Sequence, residues 1–402
     1  MSMRHQPRAR IAVLTVLAVA LALAASAQEP SWSELNQQVT ALYQQGRYAE
    51  AVTIAQEALQ VAEQTFGPGD PAVATSLNNL AGLYHIQGRH ADAEPLYQRA
   101  LAIRETALGR DHPAVATLLN NLAELYRVEG RYAEAEPLYT RALAIDEQAL
   151  GKQDPAVATD LNNLGLLYYA QGRYAEAEPL YQRALAIWEK ALGRNDPQVA
   201  AASNNLAELY RIQGRYTEAE PLYRQALRIW ERTLGRDDPR VAAASNNLAE
   251  LYRIQGRYAE AETYYKNALA IMEKTLGSDH PDVAASLNNL AGAYEAQGKY
   301  AEAEPLYQQA LTTVKKTLGP DHPFVAASLT NLAGAYEAQG KYAEAEPLYQ
   351  QALTTVKKSL GPDHPNVAAV LESMARFYRH AGRPEEADTL EKQAHAIRSK
   401  SQ

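Results

Sequence analysis

A glycine followed by arginine or lysine recurs at Gly46, Gly88, Gly130, Gly172, Gly214, Gly256, Gly298, Gly340 and Gly382, each 42 residues after the last. A fixed period of this length marks a solenoid, whose units cannot bury their apolar faces alone and therefore stack on one another. Nine such units occupy nearly all of the 402 residues. No stretch is left over for a separate catalytic domain.

The fifth unit shows what each copy encodes. Asp196 is suited to cap a helix and Pro197 to its first turn, where a missing N–H costs nothing. Val199, Ser203, Leu206, Ala207 and Tyr210 follow at helical spacing until Gly214-Arg215 stops the run. A second helix is expected from about Tyr216, carrying Ala219, Tyr223, Ala226, Leu227 and Leu234, and ending at Gly235. The unit thus reads as a helix–turn–helix hairpin, with Ala207, Ala219 and Ala226 where the two helices approach closely.

The same period accounts for the skewed composition. Seventeen of the 22 glycines fall in two turn positions. Of the 25 tyrosines, 22 fall in the positions of Tyr210, Tyr216 and Tyr223. They read as packing residues with hydroxyls at the rim, not as ligand-stacking residues. Pro95, Pro137, Pro179, Pro221, Pro305 and Pro347 sit about five residues into the second helix, where proline removes a hydrogen bond. The helix is kept, with a shifted start or a loose first turn, because the first N–H groups lack partners anyway. Thr53, Thr263 and Thr389 take that place in three copies. The first unit has Gln38, Val39 and Leu42 where others have Leu, Ala and Tyr, and it reads as a cap.

Residues 1–27 have another character. Arg4, Arg8 and Arg10 precede Ile11–Ala25, an apolar run interrupted only by Thr15. A span needs about 20 apolar residues, and Ala25-Ser26-Ala27 supplies the small residues of a cleavage site. A secretory signal peptide cleaved after Ala27 is expected, the alternative being an uncleaved anchor. No adjacent arginines support a twin-arginine route. Cleavage moves the net charge from −8 to −11, leaving an acidic protein over 28–402 that is periplasmic or secreted, with no stable membrane insertion. A basic surplus for phosphate backbones is absent, so nucleic acid is not an expected partner. With no cysteine there is no disulfide, thiolate site or lipidated thiol.

The string Asn205-Leu206-Ala207-Glu208-Leu209-Tyr210, with Gly214-Arg215-Tyr216 and Glu218-Ala219-Glu220, resembles a tetratricopeptide repeat. The 42-residue spacing, Leu77-Asn78-Asn79-Leu80-Ala81 and the Leu108–Pro113 linker resemble the kinesin light chain subgroup. The last unit, Tyr378–His380 with Glu386–Glu391, is similar to that family's closing repeat. The resemblance spans residues 31–398. It implies an all-α fold, a right-handed superhelical α-solenoid of nine helix–turn–helix repeats, whose first helices line a concave groove that takes up peptide segments. No heptad coiled coil is present, and with the export signal this sets a motor-cargo role aside.

A helical wheel reaches the same surface. At about 100° per residue, Ser203, Leu206, Ala207 and Tyr210 face one way and Ala201, Asn205, Glu208 and Ile212 the other. Asn79, Asn121, Asn163, Asn205, Asn247, Asn289 and Asn331 therefore form a ladder on the groove, each amide offering a donor and an acceptor to an extended peptide. Asn78, Asn120, Asn162, Asn204, Asn246 and Asn288 lie nearer its edge. The amides equally suit bonds to adjacent helices that set the stacking, and both readings stand. Arg127, Arg211 and Arg253 share the groove with Glu124, Glu208 and Glu250. The i, i+3 spacing suits surface ion pairs, while an arginine-lined stretch for an acidic peptide is the sharper reading. Units seven and eight have Gly292 and Gly334 with Glu295 and Glu337 instead. Trp188 and Trp230, one repeat apart on second helices, are expected to stay partly exposed as an aromatic anchor.

Catalytic chemistry is not indicated. His112, His280, His322 and His364 precede prolines at the places of Asp70, Asp154, Asp196 and Asp238, which indicates a helix-start role and no metal. Gly292–Lys299 has the wrong spacing for a phosphate loop, and no nucleophile elbow occurs. The expectation is a non-catalytic exported scaffold that binds a protein or peptide partner and needs no cofactor. A self-assembling structural protein and a regulatory module for a separate enzyme are the alternatives. Residues Gly292–Lys316 and Gly334–Lys358 are identical, which suits variable repeat number.

Overall fold

The computed structural model describes residues 30–400, so the leader expected at residues 1–27 lies outside the described residues. Eighteen α-helices follow one another with no strand among the described residues. The chain divides into two compact units between Gly172 and Arg173, inside the fourth repeat. The first unit holds α1 (Trp32–Gln44), α2 (Tyr48–Phe66), α3 (Pro71–Ile86), α4 (His90–Leu108), α5 (Pro113–Val128), α6 (Tyr132–Ala149) and α7 (Pro155–Ala170). The second holds α8 (Tyr174–Leu192), α9 (Pro197–Ile212), α10 (Tyr216–Thr233), α11 (Pro239–Ile254), α12 (Tyr258–Leu276) and α13 (Pro281–Glu295). It continues with α14 (Tyr300–Leu318), α15 (Pro323–Ala338), α16 (Tyr342–Leu360), α17 (Pro365–His380) and α18 (Pro384–Lys400). Consecutive helices pack as hairpins, and hairpins stack within each unit. This is a tetratricopeptide-type solenoid.

Each first helix from α3 onward starts as the sequence dictates. The Asp196 carboxylate accepts the N–H of Gln198 at 2.8 Å and Pro197 fills the first turn. His322 does the same work with Nδ1, which accepts from Phe324 N–H at 3.2 Å. Asp and His interchange at this position because each presents an acceptor two residues before the N–H it caps.

The first helices end at a glycine of positive φ, as α9 illustrates. Gly214 has φ +74°, and the N–H groups of Arg215 and Gly214 donate to the carbonyls of Tyr210 (2.8 Å) and Arg211 (3.1 Å). That pair of bonds is a Schellman motif, whose left-handed residue favours glycine.

The stripe predicted for the core is buried: Ser203, Leu206, Ala207 and Tyr210 on α9 meet Ala219, Tyr223, Ala226 and Leu227 on α10. The three alanines have no exposed surface, so the helices meet where side chains are smallest. Pro221 is the sixth residue of α10, and the helix nevertheless starts at Tyr216. Its start is not displaced to spare the proline. In α2, α12 and α18 the replacing threonines donate their hydroxyls to the carbonyl four residues back, Thr263 to Ala259 at 3.0 Å for example.

Repeat joins to repeat through a polar clamp. Arg131 donates to Glu94 at 2.8 Å, Tyr126 Oη donates to the same carboxylate at 2.8 Å, and the guanidinium lies 4.0 Å from the Tyr126 ring centroid. In the second unit Arg215 reaches Glu178 at 2.7 Å and Arg257 reaches Glu220 at 2.8 Å. At Arg131, Arg215, Arg257 and Arg383 the residue after the turn glycine thus ties its repeat to the preceding one, as Lys299 and Lys341 also do. At the start of the chain α1 buries only Leu35 and Val39 and leaves Gln38 in solvent, as a cap should.

Two expectations are corrected. Trp188 and Trp230 are 4% and 8% exposed; they belong to the core and form no exposed anchor. The hydroxyls of the Tyr223 series are not at the rim. Tyr139, Tyr223 and Tyr265 are buried and send their hydroxyls through to glutamates of the first helices.

Candidate peptide-binding site

The face of interest is the side of the first helices turned away from their second helices. In the first unit Asn79 Nδ2 donates to Asn36 Oδ1 at 3.0 Å and Asn121 Nδ2 to Asn78 Oδ1 at 2.7 Å. Both are half-buried, as is Asn163. In the second unit Asn247 Nδ2 donates to Asn204 Oδ1 at 2.9 Å, and Asn205 is half-buried. Asn289 and Asn331 are exposed. The ladder therefore does two things. At Asn79, Asn121 and Asn247 one donor is spent on the neighbouring repeat, while at Asn289 and Asn331 the amide meets solvent.

The charged residues group by repeat. Arg127, Arg211 and Arg253 each grip the glutamate one turn before them, Glu124, Glu208 and Glu250, at 2.6, 2.6 and 2.7 Å. Tyr139 and Tyr265 add their hydroxyls to Glu124 and Glu250 at 2.8 Å. Burial works to raise the carboxyls of Glu124 and Glu250, but arginine and tyrosine outweigh it and hold both below the usual carboxylate range. These three arginines are thus already paired with carboxylates.

In the seventh and eighth repeats Gly292 and Gly334 stand at the glutamate position. Glu295 and Glu337 occupy the arginine position and accept the Tyr307 and Tyr349 hydroxyls at 2.8 Å. Burial pushes the Glu295 carboxyl up, and the Glu337 charge adds to it against the Tyr307 bond. Glu337 has the ring Nδ1 of His380 at 2.6 Å.

Clefts open on this face, and two of them are lined by amides of the ladder. One of ≈ 380 Å³ in the first unit is lined by Asn78, Asn79, Asn121, Gly82 and His85. The other, ≈ 300 Å³, lies between α15 and α17 and is lined by Ala327, Thr330, Asn331, Asn366 and Ser373. Both combine amides or hydroxyls with small side chains, a composition that accommodates main chain.

One buried cluster escaped the sequence reading. Asp146 and Asp160 are 6% and 1% exposed, and Asp160 Oδ1 accepts from Asn120 Nδ2 at 2.6 Å. Burial, with the Asp146 charge, pushes the Asp160 carboxyl up to about 7. Its signal was present: Asp160 stands where neighbouring repeats have Leu118 and Ala202. Among the described residues no group of three or more histidine and acidic side chains is placed to hold a metal ion, and no helix is long and apolar enough to cross a membrane.

The tetratricopeptide repeat family model matches eight overlapping segments from residue 34 to residue 400, the first being 34–106 and the last 324–400. The chain belongs to the tetratricopeptide repeat family. Its 42-residue repeats are kinesin light chain-like. BtubC (BKLC) from P. vanneervenii is 29% identical, with a TM-score of 0.51 over 58% of this chain and 92% of its own. A Podosopora anserina putative kinesin light chain with nearly identical TPR-like repeats is 34% identical over 52% of this chain and 98% of its own, with a TM-score of 0.47. A STAND signal-transduction ATPase with a tetratricopeptide repeat sensor from Pyrococcus horikoshii has a TM-score of 0.60 at 16% identity, covering 80% of this chain and 46% of its own. That last likeness is one of fold. No curated protein is recognisably similar to the chain.

Proposed function

We propose that this tetratricopeptide repeat protein is an exported, non-catalytic scaffold whose first-helix faces take up peptide segments of partner proteins. The family supports a protein-binding role, since such repeats generally mediate protein–protein interactions. The observation that carries the finer reading is the ≈ 380 Å³ cleft lined by Asn79, Asn121 and Gly82, where amides flank a position with no side chain. An extended peptide needs alternating donors and acceptors with room for its main chain. Because Arg127, Arg211 and Arg253 already hold glutamates, the reading commits to recognition of backbone, not of an acidic sequence. Export is supported by Arg4, Arg8 and Arg10, the apolar run Ile11–Ala25 and Ala25-Ser26-Ala27.

Selection of a displayed random-peptide library against the full chain tests the binding face. Selected peptides should lose about tenfold or more in affinity on Asn331→Ala or Gly82→Leu, each a change to a cleft wall. Selected peptides indifferent to both changes would remove the face from the account. Export is tested by cell fractionation with N-terminal sequencing: Gln28 as the first residue of an envelope or secreted form is expected, and a cytosolic chain beginning near Met1 would end that part of the proposal.

A further inference from the structure

A further cavity lies away from the first-helix face, at the turns of the fourth and fifth repeats, and has a volume of ≈ 740 Å³. Four arginines line it: Arg194 and Arg236 from the linkers after α8 and α10, and Arg228 and Arg232 from α10. All four side chains are exposed. Their opponents on the wall are two acids, Glu189 and Glu231, so the cavity carries a surplus of positive charge in an otherwise acidic protein.

Three departures from the repeat create it. Arg228 stands where the second, third, fourth and sixth repeats have Ala102, Ala144, Ala186 and Ala270. Gln225 stands where the third repeat has Arg141, which there reaches Glu105 at 2.6 Å and the Arg110 carbonyl at 2.8 Å and so fills the corresponding space. The shorter Gln225 bonds only Glu189, at 3.0 Å, and the space beside Arg194 stays open. Finally, the lysines at the Arg232 position, Lys274, Lys316 and Lys358, each bond a linker aspartate 37 residues earlier, Asp237, Asp279 and Asp321. Arg232 finds Asn195 there instead, at 3.2 Å.

The guanidiniums therefore converge without their usual carboxylates. Arg224, one turn before Arg228, is held by Glu220 at 3.0 Å, whereas none of the four cavity arginines is ion-paired among the described residues. Arg228 and Arg232 are i, i+4 neighbours on a helix, so their like charges repel until an anion sits between them. Guanidinium forks match phosphoryl oxygens bidentately, and a tetrahedral phosphoryl group offers edges to forks arriving from several directions. A single phosphate is small for ≈ 740 Å³.

We infer that the cavity lined by Arg194, Arg228, Arg232 and Arg236 binds a small molecule carrying two or more phosphoryl groups. The site does not depend on the peptide-binding reading, since it shares no residue with that face.

Isothermal titration of the full chain with tripolyphosphate at fixed ionic strength tests the assignment. Saturable one-to-one binding is expected, weakened about tenfold or more by Arg228→Ala, which installs the alanine of the neighbouring repeats and so keeps the fold. Arg398→Ala, whose arginine pairs with Glu372, should leave affinity unchanged. Arms with sulfate, citrate and a doubly phosphorylated peptide separate the sources. Tripolyphosphate should bind more tightly than all three. No saturable binding, an affinity indifferent to Arg228→Ala, equal binding of citrate, or tighter binding of the phosphopeptide would each overturn the assignment.

Discussion

Tyr307 donates its hydroxyl to Glu295 across 2.8 Å, while one repeat earlier Tyr265 donates to Glu250 at the same distance. The acceptor has moved one helical turn, from the Glu250 position to the Arg253 position, and Gly292 stands at the vacated place. A buried phenol needs an acceptor, and either turn of the first helix can supply it. Tyr307 is 4% exposed, so Glu295→Ala should cost about 1–3 kcal/mol in urea unfolding, the range for a stranded buried donor. Glu295→Gln keeps an acceptor and should cost clearly less.

The same exchange makes Gly292 replaceable. A Cβ there would meet Tyr307 Oη at 3.6 Å, an ordinary contact, and the residue lies inside α13. Gly292→Ala should therefore stabilise the protein by about 0.5–1 kcal/mol through helix propensity. Differential scanning calorimetry would show the higher Tm.

Asp160 makes the first unit sensitive to pH. Its carboxyl is raised from 3.8 to about 7 by burial and by Asp146, so the fold disfavours the charged form. The stability tied to it is fully present below about pH 4 and is lost as pH rises through about 7. Asp160→Asn removes the charge. It should be more stable than the parent at pH 8 by about 2–4 kcal/mol, a range set by a shift of about three pKa units, with the gap closing toward pH 4. Unfolding midpoints across that range would check it.

The asparagine ladder should respond unevenly. Asn247→Ala breaks the 2.9 Å bond to Asn204 and should lower stability by about 1 kcal/mol. Asn289→Ala, at an exposed position, should stay within about 0.5 kcal/mol of the parent. Urea titrations of the two variants would separate stacking from surface.

Helix starts give the sharpest substitution pair. His322→Asp installs the cap that other repeats use and should leave stability nearly unchanged. His322→Ala removes the acceptor 3.2 Å from Phe324 N–H and should cost about 0.5–2 kcal/mol. Thermal unfolding by circular dichroism would distinguish them.

The sequence by itself determined the repeat, its helix starts at Asp196 and His322, its stop at Gly214, and the stripe of Leu206, Ala207 and Tyr210 that is buried. These features follow from local rules, since caps, turns and helical periodicity act within a few residues. The exposed Arg228 was legible as a break in a column rich in alanine, and the buried Asp160 as an acid in a column of small or apolar residues, although their partners were not. Only the tertiary structure decided that Asn121 spends its donor on Asn78, that Tyr223 reaches through the hairpin to Glu208, and that Trp188 and Trp230 are buried. Each depends on which side chain of another helix arrives within hydrogen-bonding or van der Waals distance. A period of 42 fixes that helices meet, whereas the distance between two chosen atoms is set by how the packed hairpins settle against one another.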